Sequence, residues 1–533
     1  MIDGVQTFRE NEILLTGSSG FLGKVVLGLL IDRYPDFKHL HVLMRGSQSL
    51  GAKERFEREV LGSPALKPVL EKANRNSRET GSRLADRISI WPGDVAMPSL
   101  GLAPAEVERL AGRVSLIINC AGRVDFFPPL DDSLSSNVDG VEHLIELARR
   151  LGAKLLHVST CFVCGEADGL IEETEPILGF YPHRQGPDDE SFQAADELRY
   201  CRARVAEIYR AAGVNGDLTE ISKRRPRELA RELTTLGRQR AGHWGWVNTY
   251  TYSKSLGEQL LAATADVPWT IVRPAIIESA LAFPFPGWIE GGRTAAPLVL
   301  MALSGMKEWP MRRDAPLEVV PVDEVAAAIL VASALLLHNQ HQPVYQLASA
   351  EVNPIHLEQL ARLLRSEARK LTQNGGKSRK APFIQRLASA GPRRGQLRFL
   401  SAAEARARRE RQKKRIARLQ SLISGMRGLL RTLRLPGHDA LSGWTASLRT
   451  LGLQSNFREQ TLEYYLPFVL HNRFIFECEN IRAAYNLIAP QDRERLPWAP
   501  EKIDWAHYWT HNQVHGIQKW VQPEAVKQWS FKI

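Results

Sequence analysis

Cysteine is scarce in this sequence. Cys120, Cys161, Cys164, Cys201 and Cys478 are the only five in 533 residues. Their number and uneven spacing argue against a disulfide framework and fit a reducing compartment. Cys161 and Cys164 make one C-x-x-C, but no second pair completes a zinc site. The surrounding HVSTCFVCG reads as a buried strand, so no metal is expected. Long apolar runs are lacking too. The longest, VAAAILVASALLL from Val325 to Leu337, is too short to cross a bilayer and predicts a core helix. The opening MIDGVQTFRENEILLTG has no basic start followed by a long apolar stretch, which argues against a signal peptide. A cytoplasmic protein is the expectation.

Acidic residues are nearly missing from one region. Between Arg365 and Arg434 stand 21 Lys or Arg against Glu367, Glu404 and Glu410 alone. That segment carries +18 within a chain of net +11, which leaves −7 on the remainder. The basic balance therefore describes one local surface on a mildly acidic body. The length is too great for one ordinary core and predicts two or three domains.

What is present begins with EILLTGSSGFLGKVVLGLLI. A short apolar strand runs into a turn punctuated by Gly17, Gly20 and Gly23, and Val25 to Ile31 has helical apolar spacing. Strand, glycine turn and helix let the backbone approach a pyrophosphate at a helix N-terminus. The expected cradle is Thr16, Gly17, Ser18, Ser19, Gly20, Phe21, Leu22 and Gly23. The next strand, HLHVLMRG, ends without the carboxylate that would take the ribose 2′-hydroxyl of NAD. Arg45 stands there instead and favours the extra phosphate of NADPH. ISIWPGDV ends at Asp94 and Val95, SLIINCAG at Ala121 and Gly122, and LLHVSTCFVCG passes through Ser159 and Thr160. Helical patterns alternate with these strands, which predicts an α/β fold with a doubly wound parallel sheet. Ligands sit at the carboxyl ends of such strands, where these residues fall.

WGWVNTYTYSKSLGEQL, residues 244–260, raises a choice between two tyrosines. The stretch looks helical from Thr251 onward. Residues four apart share a helix face and residues two apart do not, so Tyr250 can work with Lys254 and Tyr252 cannot. Taken alone, the pattern also fits two ordinary packing tyrosines. With TGSSGFLG and the Thr160 strand, however, it resembles the extended short-chain dehydrogenase/reductases. That resemblance implies that Thr160 holds a substrate carbonyl, Tyr250 donates a proton, and Lys254 lowers the tyrosine pKa and touches the nicotinamide ribose. It also puts Pro274 and Ile276 beside the cofactor.

Further motifs narrow the likeness. HVSTCFV, NTYTYSK, WTIVRPAIIESALAFPFPGWIEG, LEVVPVDEVAAAIL and VYQLASAEVNPI resemble the alcohol-forming fatty acyl-CoA reductases, and FVLHNRFIFECENI with KIDWAHYW resembles their C-terminal sterile-type domain. The likeness covers residues 10–360 and about 455–515. It implies an NADPH-dependent enzyme that reduces a long-chain acyl-CoA through an aldehyde to an alcohol. A reductase of carrier-protein thioesters and a non-catalytic NADP-binding membrane protein are the rival readings. Cys161, next to Thr160, could in principle form an acyl-enzyme. Strand alternation turns it away if Thr160 faces the cleft.

The expected division is a cofactor domain over 1–365 with a helical insertion at about 166–243, a basic linker and helix over 366–435, and a helical sterile-type domain over 436–533. The insertion reads as a solvated helical pair capping the site. In RQKKRIARLQSLISGMRGLLRTLRLPG, apolar residues recur at Ile416, Leu419, Ile423, Met426, Leu430 and Leu433, opposite arginines. This basic amphipathic helix could lid an acyl tunnel or lie on an anionic membrane. Nucleic acid is disfavoured, because no aromatics interleave the charge. The sequence carries no reading of oligomeric state.

Overall fold

The computed structural model describes the chain except residues 48, 81–83, 187–188, 215–224, 293, 307, 375–396, 433–460 and 522–533, and some side chains inside three helices. Seven strands form one parallel sheet: β1 (Glu12–Thr16), β2 (His39–Met44), β3 (Ile88–Pro92), β4 (Val114–Asn119), β5 (Lys154–Val158), β6 (Trp269–Pro274) and β7 (Val344–Leu347). Their spatial order is β7-β6-β5-β4-β1-β2-β3, with parallel register throughout. The order reverses between β1 and β4, which is the crevice where a doubly wound sheet takes its ligand. Strands such as EILLT are buried at every position. Helices cover both faces, so these strands read as apolar runs rather than alternating ones.

The helix Phe21–Arg33 leaves β1 through the glycine turn. Val322–Leu337, the longest apolar stretch, is a helix buried from Val322 through Leu336. On one side of the sheet Leu144, Leu147 and Leu151 of the helix Gly140–Leu151 close on Leu14, Ile117, Leu155 and Ile271. Burying each such leucine is worth about 1.5–3 kcal/mol.

Two expectations change. HVSTCFVCG is buried, but its strand ends at Val158; Cys161–Cys164 is a 3-10 helix capped by the Thr160 hydroxyl, which accepts from the Phe162 N–H at 3.3 Å. The insertion is more than a solvated pair. Its helices Ala194–Ala211 and Arg227–Trp244 bury Leu198, Cys201, Val205, Leu229 and Leu233 in one cluster with Tyr252 and Leu256.

Contacts group the chain into two units that do not follow chain order. One comprises Met1–Gly291, Glu318–Pro354 and Phe474–Asp504; the other comprises Gly292–Leu317, Ile355–Arg473 and Trp505–Ile533. In the first, buried carboxylates fasten the late segment. Glu318 accepts from the N–H groups of Ser349, Ala350 and Phe476, and Glu173 from those of Gln346 and Asn480. Burial pushes both carboxyls up to about 7. In the second unit the helix Ala296–Leu303 packs on Leu357–Asn374. The basic segment forms a 31-residue helix, Ala402–Thr432, on which Leu422 and Met426 are exposed. The side chains of Ile416, Leu419, Ile423 and Leu430, and all of Leu433, lie outside the described residues. Among the described residues no helix is long and apolar enough to cross a membrane.

Candidate active site

The glycine turn is built to bring backbone close to backbone. Gly17 has φ +73°, and a Cβ there would lie 2.5 Å from the Cys120 carbonyl carbon; one on Gly23 would lie 2.2 Å from the Gly17 oxygen. Gly20 precedes the helix without any side-chain cap. Ser18 is buried and its hydroxyl has no partner. Open N–H groups, a positive dipole end and an unused hydroxyl fit a pyrophosphate. Thr16 donates to Asn119 Oδ1 at 2.6 Å, and the Ala121 N–H reaches the same oxygen at 3.1 Å. Ser19, Phe21 and Leu22 complete the turn, half-buried.

At the neighbouring strand ends Arg45 meets Asp94 at 3.3 Å, with its side chain 68% exposed. That leaves it open to an anionic ligand. Asp94 also accepts from the Ala96 N–H, and Val95 presents its carbonyl to His143 Nδ1 at 3.0 Å.

The helix carrying the tyrosines runs Thr249–Ala262, two residues earlier than its pattern indicates. Asn248 caps it by accepting from the Thr251 N–H at 2.8 Å. Thr160 is close enough to act on the Tyr250 phenol and pull its pKa down, and Thr160 donates to the Pro274 carbonyl at 3.3 Å. Lys254 is buried and donates to the Val158 carbonyl at 2.8 Å. A Cβ on Gly122 would sit 3.0 Å from its ammonium. Thr160, Tyr250, Lys254, Gly122 and Pro274 therefore converge. Ile276 lies two residues past Pro274, its N–H bonded to the Glu318 carbonyl at 3.1 Å.

The electrostatics differ from the expectation that Lys254 lowers the tyrosine pKa. Burial pushes the Tyr250 phenol up to about 12, with Thr160 opposing it. Burial pushes Lys254 down to about 8, opposed by Glu258 and Cys120. Burial dominates, Glu258 and Cys161 push the same way, and Lys254 is not among the groups acting on the phenol, which stays protonated at neutral pH.

Tyr252 serves another purpose. It is fully buried and donates to Glu197 on the insertion, with Cys201 Sγ 3.2 Å away. Arg240 grips the same carboxylate at 2.6 and 2.9 Å. Cys161 is buried, its thiol bonded to the Arg273 carbonyl and held well above the usual thiol range by burial. A protonated, enclosed thiol is a poor nucleophile.

The NAD-binding family model described as male sterility protein matches residues 15–329. The chain is 30% identical over 530 residues to a probable fatty acyl-CoA reductase 5 of Arabidopsis thaliana, spanning 96% of this chain and 98% of that one. The chain belongs to the fatty acyl-CoA reductase family. The alcohol-forming fatty acyl-CoA reductase of Simmondsia chinensis is 30% identical over 362 residues, 66% of this chain and 70% of its own. A solved structure, the terminal R domain from the myxalamid biosynthetic pathway, is similar at TM-score 0.49 and 17% identity, covering 95% of this chain and 90% of that one.

Several supports of this candidate site in the fatty acyl-CoA reductase chain were not read from sequence. Asn137 sits in a π-helical turn, accepting from the Arg123 N–H at 2.8 Å and donating to Ser253 Oγ at 2.9 Å. Gly257 admits that turn, since a Cβ there would lie 2.2 Å from the Asn137 oxygen. Glu258, one turn past Lys254, forms a buried pair with Arg273 at 2.5 Å. Glu258 was findable as a neighbour of Lys254, because the two are four apart on one helix, but its pairing with Arg273 was not. The Pro-Gly-Trp loop reaches the glycine-turn helix through Glu290, 2.6 Å from buried Lys24. Asp323 holds the loop by accepting from Leu281, Ala282 and Phe283.

Proposed function

We propose that this protein reduces a long-chain acyl-CoA to the primary alcohol with NADPH, through the aldehyde, at Thr160, Tyr250 and Lys254. The observation that carries this is the convergence of those three side chains beside the glycine turn in a fatty acyl-CoA reductase family chain. NADPH, when bound, supplies one hydride to the thioester carbon and, from a second molecule, one to the aldehyde carbon. Each hydride needs one proton, and the acyl group leaves CoA as the free thiol. The Tyr250 hydroxyl holds the carbonyl oxygen and delivers the proton, and Thr160 shares in holding it by turning its hydrogen from the Pro274 carbonyl to the substrate. An alkoxide-like oxygen is a stronger base than a phenolate, so donation from a phenol near 12 runs downhill. Lys254 places positive charge beside the same oxygen and the cofactor ribose.

Arg45 supports NADPH over NADH, since its exposed side chain ends in a guanidinium that suits a 2′-phosphate. The basic helix Ala402–Thr432 supports a cytoplasmic protein resting on anionic membrane through Leu422, Met426 and its flanking cations. Co-sedimentation with phosphatidylserine vesicles at low salt, released by high salt, is the expected result; no binding removes the membrane from the account. The activity itself is tested by competing palmitoyl-CoA against a palmitoyl-carrier protein with NADPH. Hexadecanol formed preferentially from palmitoyl-CoA supports the reading. Exclusive use of the carrier thioester transfers the function to the rival class.

A further inference from the structure

We propose that His511 and His515 form a binding site for a divalent cation of the zinc, copper and nickel class, outside the reductase site. Both lie on a continuous helical run, 505–521, in which π-helical Tyr508–Gln513 passes into the α turn Val514–Gly516. Both are exposed, and they stand four residues apart on one face. Their ring centroids are 6.2 Å apart with planes 21° from parallel. His507 stacks on His511 at 4.5 Å and 10°, which extends the face by another turn. Short π-helical stretches inside helices are frequent at functional sites.

The decisive feature is the hydrogen bonding behind the rings. Thr510 Oγ1 donates its single hydrogen to the Ala506 carbonyl at 2.7 Å. It can then only accept from His511, so the contact at 2.8 Å puts the proton on His511 Nδ1. His515 Nδ1 lies 2.9 Å from the Thr510 carbonyl, which also can only accept. Both neutral rings are thereby held as the tautomer with a free Nε2 lone pair. Metal-binding histidines carry this support, a second ring nitrogen donating to a carbonyl or similar acceptor that fixes tautomer and orientation. Here one residue, Thr510, supplies it to both rings. Among the described residues no three metal-ligating side chains converge on one point. The cation would therefore take two imidazoles and complete its shell with water. Nitrogen-only ligation selects zinc, copper and nickel over magnesium and calcium.

Calorimetric titration of the full, untagged, chelator-stripped protein with zinc chloride tests this. One zinc per chain is expected, lost in His511→Ala and in His515→Ala. Thr510→Val keeps both imidazoles but removes the hydroxyl, and should weaken binding by about 10-fold or more, in the range for such supporting partners. Thermal unfolding in EDTA checks that each variant folds. Zinc should also raise the melting temperature of wild type and not of the His511→Ala, His515→Ala double variant. Unchanged stoichiometry and affinity in the double variant would overturn the site. Full affinity in Thr510→Val would overturn the tautomer argument on which it stands.

Discussion

The Tyr252 hydroxyl is bonded to Glu197, 55 residues earlier in the chain, while the Tyr250 hydroxyl meets Thr160. Two tyrosines two residues apart thus meet different partners, Tyr250 the Thr160 hydroxyl and Tyr252 the buried cluster of the insertion. Tyr250→Phe should lower turnover by roughly two orders of magnitude or more, about 3 kcal/mol of barrier, with the fold intact. Tyr252→Phe should cost about 1–2 kcal/mol of stability, since Arg240 still holds Glu197, and leave turnover near wild type. Steady-state rates and urea unfolding of both variants check the assignment.

Lys254 makes activity pH-dependent. Its cation is lost as pH rises through about 8, so turnover should fall above that point. Stability should move the other way. The unfolded lysine keeps its proton to about 10.5, so between about 8 and 10.5 the unfolded chain binds more protons and folding becomes more favourable with rising pH. Lys254→Met should be inactive and should flatten that rise in denaturant titrations across the same window.

Arg45→Ala should weaken NADPH binding at least about 10-fold and barely change NADH binding, because the lost contact is to the 2′-phosphate. The exposed pair with Asp94 contributes only about 0–1 kcal/mol, so the melting temperature should stay close to wild type. Fluorescence titration with each cofactor reads the difference.

The buried Glu318 acts on stability with the opposite sign to Lys254. Its folded pKa is raised to about 7 from 4.5. Between those values the folded chain binds more protons, so stability falls as pH rises and the penalty is complete above about 7. Glu318→Gln removes the titrating group and should flatten the slope between pH 5 and 7. Thermal unfolding over that range measures it.

Much of the sheet and part of the site were legible because their rules are local. Apolar runs bounded by glycines mark β1 to β5, and four-residue helical spacing separates Tyr250 from Tyr252. What was hidden depends on distant partners. Glu197 and Arg240 sit in a segment whose charge reads as surface, yet they close over Tyr252. Asn137 is placed by a π turn that the absent side chain of Gly257 permits. The end of the β5 strand at Val158 is invisible in HVSTCFVC, which no glycine or proline interrupts, because the Thr160 cap marks it. The sign of the Tyr250 shift required knowing how deeply the site is enclosed.

The most direct test of thioester reduction at this cluster is the ratio of NADPH consumed to CoA thiol released from palmitoyl-CoA, measured for wild type and Tyr250→Phe. Two NADPH per thiol, with hexadecanol as product and both rates falling together in the variant, is the result predicted. Thiol release without NADPH consumption, or a variant as fast as wild type, would contradict the account.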